Sequence, residues 1–187
     1  MKRTISIICI LIISALVAFF WVEIDDAMTK HNHPLKYVEY VEEYAQLYAV
    51  PKELVYAVIK AESNFESDAV SSKGATGLMQ IMPETYTWLC DKYLETSMDP
   101  QLLFTPEINI KFGTLYLSFL YSKFGNWETA VAAYNAGPTK VEKWLSDSEI
   151  SENGVLVNVP YEETEKYIKK VMKAKNNYKE LYFADNK

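Results

Sequence analysis

From Leu35 onward, apolar residues recur three and four positions apart in one segment after another, and prolines and glycines punctuate the segments. That spacing follows the α-helical turn, so the chain is constrained to bury helix faces rather than pleated strands. Tyr37, Val41, Tyr44, Ala45 and Tyr48 form the first such face. Pro51 suits the first position of a second helix, where its missing N–H costs nothing. That helix runs through Leu54, Val55, Val58 and Ile59 and ends near Glu62. Residues 63–77 hold four serines, two glycines and two Asp or Asn with no sustained period, which predicts a loop. Pro83 opens a third helix through Trp88. A long helix is expected over 106–124, with Ile110, Leu115, Leu117 and Leu120 inward and Gly113 as a close-packing point. Another covers 127–136 and stops at Gly137-Pro138. Val141, Trp144 and Leu145 mark a short turn, residues 151–160 a brief extended piece, and residues 161–181 a last helix. On that helix Tyr167, Ile168, Val171 and Met172 are expected inward, with Lys169, Lys170 and Lys173 largely outward. The expected architecture is mostly α, in a single domain over residues 35–187.

The N-terminus is different. Residues 5–22 carry no charge and only two serines. As a helix this run spans about 27 Å, enough to reach across a bilayer's hydrocarbon. Lys2 and Arg3 precede it, and Glu23, Asp25 and Asp26 follow. The expectation is a cytoplasmic start at 1–4, a transmembrane signal-anchor at 5–22, and a chain that faces outward from the cell membrane thereafter. A cleaved signal peptide would end in small residues, but this run ends Phe19-Phe20-Trp21-Val22. Residues 23–34 are polar and read as a stalk.

Of the 19 basic residues, only Lys2 and Arg3 precede residue 23, leaving 17 lysines against 25 acidic residues and a net charge of −8. This argues against a nucleic-acid groove, which needs a basic stripe. His31 and His33 lie in the stalk with no cysteine beside them, so exposed linker residues are expected and no metal site. Cys9 falls in the apolar run, which leaves Cys90 without an intramolecular disulfide partner; a buried thiol is expected. There is no nucleophile elbow and no phosphate loop, because Gly74-Ala75-Thr76-Gly77 lacks the downstream Gly and Lys. Carboxylate chemistry remains. Glu62 follows the apolar run Ala57-Val58-Ile59-Lys60-Ala61, where burial would raise its pKa and keep it protonated as a general acid. Periodicity alone equally allows a surface glutamate in a last turn.

Three ordered blocks resolve the choice by resemblance. The stretch from Glu62 to Thr85, with Gly74-Ala75-Thr76-Gly77-Leu78-Met79-Gln80-Ile81-Met82-Pro83 inside it, resembles the signature of the soluble lytic transglycosylase family. That family's catalytic domain is similar to goose-type lysozyme. Ala133-Tyr134-Asn135-Ala136-Gly137 resembles its second motif, and Val159-Pro160-Tyr161-Glu162-Glu163-Thr164, with Tyr167 behind, its third. The segment Phe104–Gly113 fits as well, and the resemblance covers roughly residues 38–175. It implies a lysozyme-like fold that uses no cofactor and takes the glycan strands of peptidoglycan as partner.

By the same resemblance Glu62 is the sole catalytic acid and base. Ser71 lies near acetamido or hydroxyl groups of the substrate, Gln80 is a groove hydrogen bonder, and Met82 an apolar wall. Tyr134 contacts the glutamate or the sugar at the cleavage point, and Asn135 holds a neighbouring groove or packing position. Glu163 is a groove carboxylate, Tyr167 a support for the catalytic carboxyl, and Gly74 and Gly77 let the loop turn tightly. Ser71 as a loop cap, Met82 as core and Asn135 bonded to backbone are the plainer alternatives. The third block departs from the family in one respect: Glu165 stands where an arginine is common.

The implied reaction breaks the bond between N-acetylmuramic acid and N-acetylglucosamine and closes a 1,6-anhydro ring on the muramyl end. A hydrolytic muramidase would instead need a second carboxylate holding a water, for which Glu66, Asp68 and Asp99 are the candidates. A non-catalytic glycan-binding protein would be expected to have lost Glu62.

Overall fold

The computed structural model describes residues 14, 16–17, 19–21, 23–25, 27–94 and 98–184. The chain divides into two compact units, Met1–Pro34 and Leu35–Lys187.

In the first unit the expected membrane anchor has to be corrected. Among the described residues no helix is long and apolar enough to cross a membrane. The described residues between 14 and 32 are helical, with Leu16, Val17, Phe19, Phe20 and Trp21 exposed, and the helix continues through Glu23 and Asp25. A span needs about 20 consecutive apolar residues, and acidic residues interrupt the described part after Trp21. Residues 5–13, 15, 18 and 22 of the expected anchor lie outside the described residues. Single-pass attachment and a cell-membrane location, both inferred from that anchor, fall with it. The polar stretch is helical as far as Asn32, and His33 is buried rather than exposed, with its ring Nδ1 2.8 Å from the Thr29 carbonyl oxygen.

The second unit is built on seven helices among the described residues: α1 (Val38–Leu47), α2 (Lys52–Glu62), α3 (Pro83–Leu94), α4 (Pro106–Phe124), α5 (Trp127–Ala136), α6 (Pro138–Leu145) and α7 (Glu162–Tyr178). A 3-10 turn (Pro100–Phe104) leads into α4, and a π turn (Lys179–Phe183) extends α7. A short antiparallel hairpin pairs β1 (Ser151–Glu152) with β2 (Val155–Leu156).

Helix α2 is the centre. Leu54 to Ile59 are all buried, including Tyr56 and Ala57, because α1 and α7 both pack on it. A helix apolar on one face only would leave half of these exposed. Tyr56 stacks on Tyr178 of α7 with ring centroids 5.2 Å apart, and on Phe183 at 6.0 Å. Helix α4 buries Ile110, Phe112, Leu115, Leu117 and Leu120, while α5 packs on both α4 and α7. Asn126 caps α5 by accepting from the Thr129 N–H at 3.0 Å, and Gly125 and Gly137, both at positive φ, end α4 and α5. The packing of α7 along α2 matters most for function, because it brings a helix from the end of the chain over the last turn of α2.

Candidate active site

Glu62 is the last residue of α2. Carbonyls at a helix C-terminus lack intrahelical partners and present partial negative charge, which disfavours a carboxylate there. Two groups from α7 answer this. The Tyr167 hydroxyl donates to Glu62 Oε1 at 2.5 Å, and Lys170 Nζ donates to the Ala61 carbonyl oxygen at 2.7 Å. Burial pushes the Glu62 carboxyl up to about 6; the Tyr167 hydrogen bond and the Lys170 charge pull the other way and lose. Burial also raises the Tyr134 and Tyr167 hydroxyls well above the usual phenol range, and the nearby Glu62 charge adds to both. Both phenols therefore stay protonated while Glu62 titrates.

Residues 63–82 wrap beside this carboxyl and, although irregular, are tied down throughout. Ser63 Oγ donates to Leu78 O at 2.8 Å, fastening the end of α2 to the far side of the loop. Thr76 bridges to Val70 and to Ile81 in two isolated β-pairs. Asn109, fully inside at the start of α4, accepts from Met79 N at 2.7 Å and donates to Thr76 O at 2.9 Å and Leu103 O at 2.7 Å. Gly77 passes so close that a Cβ would lie 2.2 Å from Asn109 Nδ2 and 2.4 Å from Leu103 O. Its φ of +77° adds a second reason for glycine. The Tyr134 hydroxyl donates to Met79 O at 2.7 Å, tying α5 to the same loop.

A pocket of about 290 Å³ opens between this loop, α4 and α5, lined by Gln80, Met82, Tyr116, Tyr134 and Asn135 among others. Gln80 is held at a φ of 49°, and its Nε2 donates to Ala69 O at 3.0 Å and Gly77 O at 2.9 Å. Both amide hydrogens are thus spent on backbone, and Oε1 is left as an acceptor. Four of the eight residues named from the sequence, Gln80, Met82, Tyr134 and Asn135, line one wall. Glu62 and Tyr167 are joined by their own hydrogen bond, and the Glu62 charge reaches Tyr134.

Glu62, Tyr167, Ser71 and Glu163 are not among the pocket's lining residues; the Glu62–Tyr167 pair is linked to it through Tyr134, which lines the pocket and feels the Glu62 charge. Ser71 Oγ is turned into its own loop, accepting from Ala75 N at 2.9 Å and Lys73 N at 3.3 Å. Glu163 is exposed in the first turn of α7. Asn135 accepts from Thr164 Oγ1 at 2.8 Å, a side-chain tie between α5 and α7. A second pocket, of about 310 Å³, is lined by Glu128, Leu156, Val157, Asn158, Val159, Glu165, Ile168 and Lys169 and holds none of the eight.

Asn109, Tyr116 and Lys170 were not singled out from the sequence as site residues. Tyr116 carried a signal, as a polar-tipped ring within an apolar helix. Asn109 and Lys170 carried none, because each acts on a segment far away in the chain. Among the described residues no group of three or more His, Cys, Asp or Glu is gathered for a metal ion.

Comparison with known proteins gives this geometry a lineage. The family model "Transglycosylase SLT domain" matches residues 39–155. The soluble lytic murein transglycosylase of Escherichia coli (strain K12) is 35% identical over 162 residues, covering 84% of this chain and 25% of that protein. The crystal structure of the 70 kDa soluble lytic transglycosylase of Escherichia coli superposes with a TM-score of 0.72 at 33% identity, covering 79% of this chain and 25% of the other. An inactive variant of the lytic transglycosylase Slt from Pseudomonas aeruginosa gives a TM-score of 0.73 at 32% identity, covering 81% and 25%. The chain spans about a quarter of the length of these relatives. With the family model over more than half its length and the same fold beneath, this chain belongs to the transglycosylase SLT domain family.

Proposed function

We propose that residues 35–187 form a lytic transglycosylase domain that cleaves the glycan strands of peptidoglycan, with Glu62 as its only general acid and base. The observation that carries this is the setting of Glu62: a half-buried carboxyl at the end of α2, hydrogen-bonded by Tyr167, with a pKa raised to about 6, on which no second carboxylate acts among the described residues. The names of the relatives, soluble lytic murein transglycosylases, support the substrate class.

With Oε1 engaged by Tyr167, the proton to be delivered sits on Oε2. Glu62 gives it to the oxygen linking N-acetylmuramic acid to N-acetylglucosamine as that bond breaks. The oxocarbenium-like carbon is then trapped by the muramyl 6-hydroxyl, and Glu62, now a carboxylate, takes the hydroxyl's proton. The acid is regenerated and the product carries a 1,6-anhydro ring. The Tyr167 hydrogen bond and the Lys170 charge favour the carboxylate, so they help the acid release its proton. Tyr134, with its own proton held by Met79 O, fixes the wall of the sugar site. Gln80 Oε1 offers an acceptor to an acetamido N–H or a hydroxyl, with Met82 an apolar surface beside it.

Hydrolysis would require a base some 5–9.5 Å away to hold a water or act as nucleophile. Glu66, Asp68 and Asp99 are all exposed, none appears among the groups that act on Glu62, and Asp99 Oδ1 is occupied in accepting from Gln101 N at 2.9 Å. Replacing Glu62 by Gln should lower the rate of release from purified peptidoglycan by about 10³-fold or more, a positioned acid–base group being worth about 10²–10⁴. The rate should fall as pH rises through about 6, where the acid ionises. An unimpaired Glu62→Gln protein would remove the basis of this reading.

A further inference from the structure

The aromatic wall of the pocket continues past its rim. Tyr134 meets Tyr116 with ring centroids 5.3 Å apart, and Tyr116 lies parallel to Phe119 at 6.3 Å and 11°. Trp88 of α3 closes edge-on against both, 4.9 Å from Phe119 and 6.5 Å from Tyr116. Tyr116 and Tyr134 line the pocket, while Trp88 stands outside it and is 38% exposed. Trp88 also lies three residues after Thr85, which lines the pocket, so the two share a helix face. The core side of α3 is filled without it, by Tyr86, Leu89 and Cys90. A large ring left this open beside a pocket is more informative than a scattered surface apolar residue. Lys92 Nζ lies over the same surface, 5.1 Å from the Trp88 ring and 4.9 Å from that of Phe119.

We propose that Trp88, backed by Phe119 and Tyr116, is a second sugar platform, holding a pyranose of the same glycan strand outside the pocket at Tyr134. The proposal rests on the reading of the chain as a glycan-cleaving enzyme. A pyranose presents C–H groups on its faces and hydroxyls around its rim. Flat aromatic surface against the face, with a polar group at the edge, is the chemistry that recognises it. Trp88 offers the ring, and the Lys92 ammonium, which lies over that ring at 5.1 Å and must swing aside to admit a sugar on that face, offers a donor to ring hydroxyl or carboxylate oxygens. The occupant is the strand itself because the surface is continuous with the pocket through Tyr116. A pocket of about 290 Å³ encloses only a short stretch of polymer, so further sugars must lie on what adjoins it.

The test uses the full chain carrying Glu62→Gln, so that ligand is bound without being turned over, and measures affinity for chitotriose and chitohexaose by calorimetry. Adding Trp88→Leu, which keeps apolar bulk but removes the ring, should weaken chitohexaose about tenfold and leave chitotriose within about twofold. Trp88→Tyr should recover most of the loss. Unchanged chitohexaose affinity in Trp88→Leu, or an equal loss for both oligomers, would overturn the platform while leaving the cleavage reading intact. If the Glu62→Gln parent binds neither oligomer, the glycan groove and the platform on it both fall.

Discussion

Glu62 is placed where its charge is least welcome, at the negative end of α2 and under the cover of α7. Its folded-state pKa of about 6 lies above its ordinary value of 4.5, so ionising it costs the folded state stability. The cost is absent below about pH 4.5, where the carboxyl is protonated both folded and unfolded, and is fully present above about pH 6. Converted at 1.36 kcal/mol per pKa unit, it comes to about 2 kcal/mol. Glu62→Gln keeps an acceptor for Tyr167 and cannot ionise. The variant should therefore be more stable than the parent by up to about 2 kcal/mol at pH 7.5, with the difference disappearing at pH 4, as read from urea denaturation at both pH values. The positive charge at Lys170 acts in the opposite direction. It faces Glu62 from α7 together with Tyr167, while Tyr134 faces it from α5. Lys170→Met removes a charge that favours the carboxylate, so the Glu62 pKa should rise and the alkaline limb of the rate profile should move to higher pH. Lys170→Arg should leave the limb near its original place. A limb that does not move with Lys170→Met would show that the ammonium only ties Ala61 O.

At the scale of elements, the irregular segment between α2 and α3 is held by bonds within itself and by long-range bonds from Asn109 and Tyr134. Its bends place non-glycine residues at positive φ, Phe65 at 69° and Gln80 at 49°, which the surrounding bonds must stabilise. Gly77 and Gly113 both sit where a side chain would collide, with different consequences. At Gly77 the obstacles are the Asn109 amide and the Leu103 carbonyl, with positive φ in addition, and neither obstacle can retreat without breaking Asn109's hydrogen bonds. At Gly113 the obstacles are Met79 Sδ, Cε and Cβ, 2.4, 2.9 and 2.8 Å from where the Cβ would lie; the Met79 Cβ cannot swing away, but φ is not positive there and the end of the side chain can move. A thioether adapts where an amide network does not. Gly77→Ala should therefore destabilise by well over about 3 kcal/mol, and Gly113→Ala by about 1–3 kcal/mol. Melting curves of the two variants check the ranking, and a Gly77→Ala protein as stable as the parent would contradict the account of the loop. The turn at Gly77 and the close packing at Gly113 were expected from the sequence, but the bonds that hold the segment were not legible in residues 63–77, whose Ser, Gly and Asn content predicts only a loop. The information lies in Asn109, some thirty residues further on, and local pattern does not link the two.

For the whole molecule, most helices were legible because each buries a face at helical spacing. However, α3 runs past the expected Trp88 to Leu94, the expected short turn at Val141–Leu145 is the eight-residue helix α6, and the buried residues form two clusters. The depth of α2 was not legible from its own residues. Tyr56 and Ala57 are buried because α7 returns to cover them, a packing decided more than 100 residues away. The same return turns Glu62 from an ordinary last-turn residue into a desolvated acid. Lys170 looked outward by periodicity and is exposed, yet its long stem carries the ammonium back to Ala61 O. The N-terminal expectation went the other way. Hydropathy and flanking charge predicted an anchor at 5–22, but the described part of that region belongs to a helix that runs on through acidic residues, and no described helix is apolar over a sufficient length.

The central claim is that a single carboxylate both opens the glycosidic bond and closes the anhydro ring. Mass spectrometry of muropeptides released from peptidoglycan by the purified chain, with Glu62→Gln as control, addresses it most directly. The account predicts Glu62-dependent fragments lighter than the hydrolysis products by one water and resistant to borohydride reduction. Muramyl ends that are reducible and carry the added water would contradict it, and would send the search for a second carboxylate back to Glu66, Asp68 and Asp99.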